Sequence, residues 1–308
     1  MATNPQENTN SSGAVWYSRL SDSLNAAGRH FKELVLYSSA YLAVIAFLEV
    51  AIVTELLSLR WTAAPVVAAL LSFAVYGNDR VADVEIDSKT APERAAFVDR
   101  HRQLLYALSA LAYGLAVALA VLGGPVAFAL ALVPGIVWVC YAKELMPGGV
   151  GIDRLKQVFL LNTGLVAGAW GLVVVCLPVA FAGAAVTPTT ALVFLIFSLA
   201  VVVDVEIPNV RDREGDREAG IKTLPVILGV RGIRYALYGV TAVAGGLVAF
   251  GFVEGLFTAL EAGLLLVSLL YLAVVVTAIE PAADNGRLSI AAECSRLPVL
   301  LVMVPGAL

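Results

Sequence analysis

Asp79, Asp83 and Asp87 recur every fourth residue at the end of a long apolar stretch. Asp212 and Asp216 repeat that spacing at the end of another, with Asn209 three residues ahead of them. Residues four apart share one face of a helix, so each set turns its oxygens to one side. Carboxylates gathered on one face repel unless a cation or a basic group neutralises them. Hard divalent ions such as Mg²⁺ take carboxylate oxygens and keep water and phosphate oxygens as their other ligands. The pattern therefore predicts two facing carboxylate helices joined through Mg²⁺ to a diphosphate. Asn78 or Asp79 leads the first set, followed by Asp83 and Asp87. Asn209, Asp212 and Asp216 form the second, and Pro208 and Gly215 are expected to distort or break its helix. Glu85, Arg80, Arg213, Arg217 and Glu218, in the same segments, fit ordinary solvated loop residues.

A diphosphate also calls for direct cations. Arg154 and Lys156 open an apolar segment, and Arg94 and Lys222 follow the two acidic sets. A lysine as a compact charge, or an arginine as a fork, can take phosphate oxygens and stabilise a departing diphosphate. The same positions also suit charges that only set membrane topology. Asn162 lies inside an apolar segment and requires either a substrate or an interhelical partner. Glu49 is ionisable in the middle of one, so it is functional, protonated or paired between helices. Tyr76, Tyr141, Trp138 and Trp170 are candidate faces for a carbocation and equally suitable core or interfacial residues.

The elements that hold these residues are written in oil. Hydrophobic residues make up 60% of the 308 and charged ones 14%, against roughly 25% in soluble domains. A mean hydropathy of +0.87 agrees, so an integral all-α membrane bundle is expected. Taking about 20 apolar residues per crossing, nine segments qualify: 35–57, 62–78, 103–122, 125–142, 157–179, 188–207, 235–252, 257–278 and 289–307. Residues 1–30 read as a polar tail and 31–308 as one transmembrane domain. With the N-terminus in the cytoplasm, every Lys and Arg except Arg60 and Arg296 falls on the cytoplasmic side or in the tail. The positive-inside rule thus puts both acidic sets at the cytoplasmic face of a multi-pass protein of the cell membrane. Cys140, Cys176 and Cys294 have no metal-site or disulfide spacing and read as small core residues, and His101, between two arginines, as a basic turn.

With these motifs in place, the chain resembles the UbiA superfamily of membrane prenyltransferases over nearly its whole length. The first motif continues from Asp87 into Pro92-Glu-Arg94, similar to that family's Asp-rich run and its Pro-x-Arg step. The stretch Asp212-Arg-Glu-Gly-Asp216, followed by Gly220-Ile-Lys222-Thr-Leu-Pro225, is similar to the branch containing chlorophyll synthase, homogentisate prenyltransferases and archaeal ether-lipid synthases. Tyr141 with Arg154-Leu-Lys156 resembles the family's Tyr and Arg-x-Lys element. Asp79 stands where the family's Asn is usual, and Asn209 where Asp is common. The resemblance implies nine transmembrane helices with a cytoplasmic cap over the Asp-rich site. It implies Mg²⁺-dependent ionisation of an allylic prenyl diphosphate, with Asp83, Asp212, Tyr141 and Lys156 in the chemistry. Arg94, Arg154, Lys156, Lys222 and Asn162 would bind the diphosphate, geranylgeranyl being one candidate chain. The acceptor is lipid-like or aromatic, within membrane lipid, and nucleic acid has no part. A cyclase of the same fold, whose cation attacks its own chain, is the alternative. A transporter would keep its carboxylates near the bilayer midplane, whereas these sets sit at segment ends.

Overall fold

The structure is a computed structural model; it describes residues 28, 33–142, 161–218, 222–280 and 285–303. Every element among the described residues is helical. In chain order they are α1 (Ala40–Leu56), α2 (Ala64–Ala82), α3 (Val84–Thr90), α4 (Pro92–Arg100), α5 (Arg102–Ala120), α6 (Gly124–Ala142) and α7 (Leu161–Gly171). After a π turn at Leu172–Cys176 come α8 (Leu177–Ala182), α9 (Pro188–Glu218), α10 (Leu224–Val253), α11 (Ala259–Thr277) and α12 (Asn285–Glu293). A 3₁₀ stretch, Cys294–Met303, completes the set.

Local chemistry marks the ends. Proline occupies the first turn of α2, α4 and α10, where its missing N–H costs nothing. Thr258 and Glu261 form a reciprocal capping box at the start of α11. Gly124, at φ +83°, lets the chain leave α5 and enter α6 in a conformation closed to other residues.

Five stretches among the described residues are long and apolar enough to cross a membrane: Arg102–Val139, Thr163–Ala182, Pro188–Glu218, Leu224–Val253 and Ala259–Thr277. The first holds 38 residues, about twice the length of one crossing, and is interrupted at Val121–Gly123. α1 has only 17 residues, and α2 ends in the charged run that carries the first acidic set. Leu104, Leu108, Leu111 and Leu115 form an exposed stripe along α5, a face suited to lipid.

Packing relies on small side chains. Ala64, Ala68, Ala116, Ala120, Ala127 and Ala131 are fully buried where α2, α5 and α6 meet. Small residues let helix backbones approach closely, the main source of helix adhesion in lipid. A second core joins α1, α9, α10 and α11 through residues such as Ile52, Val193, Val248 and Leu265. At Gly251 a Cβ would come within 2.5 Å of Leu192 Cδ2 and 2.6 Å of a Phe257 ring carbon. Gly251→Val is therefore expected to lower stability by about 1–3 kcal/mol, read as an earlier thermal transition in detergent.

Two expectations are corrected. α9 is not broken at Pro208 or Gly215; it runs unbroken through the whole second set. Packing of neighbouring helices around α9 compensates the backbone bond a proline removes. The break falls instead in the first set, at Asp83, which caps both α2 and α3 with φ −98° and ψ 12°. In the predicted last segment, 289–307, the described residues up to Met303 are α12 passing into the 3₁₀ stretch rather than one α-helix.

Candidate active site

The first set survives the break at Asp83 because the backbone relays its register. The Asp83 N–H donates to the Asp79 carbonyl at 2.9 Å, and the Asp87 N–H to that of Asp83 at 2.8 Å. Four-residue spacing is thus kept across the junction, and Asp79, Asp83 and Asp87 all line one cavity of about 920 Å³. Asn209 and Asp212 reach the same cavity from α9, beside Pro208. Asp216 lies beyond the cavity wall, where its carboxylate accepts a hydrogen bond from the Thr223 hydroxyl at 3.3 Å. Asn78 faces elsewhere. It lines a separate, largely apolar pocket of about 430 Å³ between α2, α5 and α6. Neighbouring residues on a helix point about 100° apart, so Asp79 and Asn78 cannot both face the carboxylates opposite.

Each acidic set has its own arginine. Arg94, brought in by α4, donates to Asp87 at 2.8 Å, with both side chains nearly buried. Arg211 forks onto Asp212 through Nε and Nη2, both at 2.8 Å. Arg80 donates to the Ser39 hydroxyl at 3.3 Å and lines the cavity beside them. Burial, and next the like charge of Arg80, push the Arg94 guanidinium below its ordinary value, while Asp87 pulls the other way. The cavity mouth thus sets arginines among its carboxylates, so a diphosphate finds direct donors there but needs a cation as well to balance the acids.

The donor set also fits a hard cation. The oxygens are carboxylates, and among the described residues no three acidic side chains converge closely enough to enclose an ion alone. Mg²⁺ does not ask for such a cage; it is usually held by one or two carboxylates with phosphate and water oxygens.

Lys222 is exposed and is absent from the cavity wall. Arg154 and Lys156 lie outside the described residues, as do the side chains of Tyr141 and Asn162.

Below the charged mouth the walls turn apolar. Pro134, Val137, Val166, Val201 and Val205 line the cavity with Trp138, Trp170 and Tyr76. Tyr76 meets Trp170 edge to face, with ring centroids 6.0 Å apart. These aromatic residues face the cavity as well as filling the bundle. Trp138 also borders the apolar pocket that holds Asn78, so one indole stands between the two spaces.

The inner wall holds charges that sequence reasoning did not assemble. Arg296 donates to Glu49 of α1 and, at 2.6 Å, to Asp204 of α9, with Glu293 3.8 Å away. Asp204, Glu293 and Arg296 line the cavity. Of the readings open for Glu49, the structure shows the interhelical pair. The rule that singled out Glu49 applies equally to Asp204, an acid inside a predicted apolar segment, and was the available signal. Close by, the Thr163 hydroxyl donates to the buried Glu206 and ties α7 to α9.

Comparison with protein families matches residues 36–292 to the UbiA prenyltransferase family. The chain belongs to this family. Over 172 residues it is 35% identical to a digeranylgeranylglyceryl phosphate synthase of Thermococcus gammatolerans, covering 52% of this chain and 55% of that one. Over 169 residues it is 30% identical to the synthase of the same name from Ignicoccus hospitalis, covering 53% and 52%. The chain spans about half the length of the curated relatives it matches. Among solved structures, the apo UbiA homologue from Aeropyrum pernix K1 superposes with a TM-score of 0.64 at 20% identity, over 87% of this chain and 99% of that one. The Archaeoglobus fulgidus UbiA homologue bound to GPP and Mg²⁺ gives 0.62 at 14% identity, over 88% and 99%. Those two likenesses establish a shared UbiA fold.

Proposed function

We propose that this chain is an intramembrane, Mg²⁺-dependent prenyltransferase. It moves a polyprenyl group from an allylic prenyl diphosphate to a lipid-like or aromatic acceptor and releases diphosphate. One observation carries the reading: the Asp79, Asp83, Asp87 and Asp212 carboxylates line the same cavity as Arg80, Arg94 and Arg211, above apolar and aromatic walls. That is a polar mouth for a diphosphate joined to an oily interior for its isoprenoid tail. The name shared by the two archaeal relatives supports a lipid acceptor and a geranylgeranyl donor.

In this reading one or two of the Asp79, Asp83, Asp87 and Asp212 carboxylates would hold each Mg²⁺, with Asn209 beside them and phosphate and water oxygens as the other ligands. The chemistry Mg²⁺ supplies when bound is Lewis-acid stabilisation of the departing diphosphate. Arg94 and Arg211 exchange part of their hold on the carboxylates for phosphate oxygens. By family resemblance Lys156, Arg154 and Asn162 complete the diphosphate site, and Tyr141 joins Lys156 in the chemistry. Trp138, Trp170 and Tyr76 offer π faces to the allylic cation and keep water from it. The nine apolar segments act as nine crossings, with α3 and α4 capping the site on the cytoplasmic side.

The test uses purified protein in lipid nanodiscs, Mg²⁺, labelled geranylgeranyl diphosphate, and a panel of acceptors that includes geranylgeranylglyceryl phosphate. Prenylated acceptor and diphosphate should appear in equal amounts, and chelation by EDTA should abolish both. Turnover that persists without divalent metal, or a cyclised prenyl product formed without acceptor, would refute the reading. Arg94→Ala should raise KM for the prenyl diphosphate about tenfold or more, the cost of one charge-assisted hydrogen bond. Steady-state kinetics across prenyl diphosphate concentrations measure it.

A further inference from the structure

The Glu49–Asp204–Glu293–Arg296 group is not among the residues assigned above to the diphosphate. It sits on the inner side of the cavity, while Asp212 marks the mouth. Asp204 and Asp212 are eight residues apart on the unbroken α9, which separates them by about 12 Å along its axis. Three carboxylates here share one guanidinium, so the group carries excess negative charge when all are ionised. Asp204 and Arg296 are 94–95% buried, with 6% and 5% of their surface exposed. Asp204 Oδ1 and Arg296 Nη1 have no hydrogen-bond partner, although both residues line the cavity. Both atoms have almost no accessible surface, so a ligand reaches them only with a shift of these side chains; a buried acceptor and a buried donor without partners are expensive unless something uses them. The excess negative charge disfavours an anionic group in direct contact with these carboxylates, so an acceptor that also carries a phosphate must turn it away from them. A neutral hydroxyl, which both donates and accepts, satisfies both atoms.

We propose that this group is the seat of the acceptor's hydroxyl, and that Asp204 takes its proton. The inference rests on the prenyl-transfer reading above. The bond between the allylic carbon and the diphosphate oxygen breaks, and its electron pair leaves with the diphosphate. A lone pair of the acceptor oxygen forms the new carbon–oxygen bond. The hydroxyl proton passes to a carboxylate oxygen of Asp204, lowering the repulsion with Glu49 and Glu293. Arg296 holds Asp204 in place for this transfer and is a positioning residue.

The experiment compares wild type with Asp204→Asn, Asp204→Glu and Glu293→Gln in nanodiscs, with Mg²⁺, geranylgeranyl diphosphate and geranylgeranylglyceryl phosphate. Asp204→Asn keeps the shape and an oxygen for Arg296. It should lower kcat for transfer about 100-fold, the usual scale for a general base, with KM for the prenyl diphosphate within threefold. Asp204→Glu should recover at least tenfold over Asp204→Asn. Glu293→Gln, which removes one repelling charge, should lower kcat about fivefold. A kcat within twofold of wild type for Asp204→Asn overturns the proposal. So does a KM rise at constant kcat, or a glutamate that rescues nothing. Should Asp204→Asn fail to fold, Glu293→Gln decides alone, and a kcat within twofold of wild type refutes. If wild type itself releases no diphosphate and forms no product, the prenyl-transfer reading is what fails.

Discussion

Asp212→Ala is expected to lower prenyl-transfer turnover by about 10³-fold or more while the protein still folds. Asp212 is about one-third exposed at the cavity mouth, so its removal leaves no void in the core. It is the carboxylate of the second set that lines the cavity, since Asp216 is not among the lining residues. Its loss does two things together. It removes a carboxylate from the cation-holding side, and it leaves Arg211 without the partner that orients its fork. Electrostatic groups aimed at developing charge typically contribute 10²–10³ in kcat each, and two effects combine here. Asp83→Ala should fall in the same range. Labelled geranylgeranyl diphosphate in a single-turnover assay reads the chemical step directly. Full turnover in both variants would mean that the acidic sets do not hold the reacting diphosphate.

Arg296→Ala is expected to be the most damaging single change to stability, costing about 3–5 kcal/mol. It strands Glu49, Asp204 and Glu293 in the bundle interior with no counter-charge, and an uncompensated buried charge costs on that scale. The readout is the folded fraction from size-exclusion chromatography and the thermal transition in detergent. A compensating experiment separates charge from packing. Adding Glu49→Gln and Asp204→Asn to Arg296→Ala should recover at least half of the loss. Recovery near zero would assign the damage to lost packing of the long arginine stem instead.

Much of the site was legible because helical spacing is a local property. Asp79, Asp83 and Asp87 could be placed on one face before any fold was known, and they share one cavity. Asn78 and Asp79 could not be separated, since neighbours on a helix differ only in direction and direction is set by packing against α5 and α6. Arg211 was passed over because an arginine beside an aspartate at the charged end of an apolar segment has the composition of a solvated loop. Glu49 was noticed, but its partners were out of reach: Arg296 lies 247 residues away, and Asp204 is 92 residues from Arg296. No local pattern carries such a pairing. A distortion or break was expected at Pro208 and Gly215, yet α9 runs through both and the interruption lies at Asp83, because tertiary packing outweighs a residue's own preference.

The unbroken course of α9 has a consequence for what sequence changes the protein can absorb. From Pro188 to Glu218 one helix carries Asp204 and Asp212, with no loop between them, even at Pro208, to take up slack. One residue inserted between them would turn everything beyond it by about 100° and advance it by about 1.5 Å. Asp212 would then leave the cavity while Asp204 stayed. The first acidic set has joints at Asp83 and Ala91, where a length change can be accommodated locally. Insertions and deletions should therefore be tolerated around Ala91 and be lethal to activity between Val205 and Arg211.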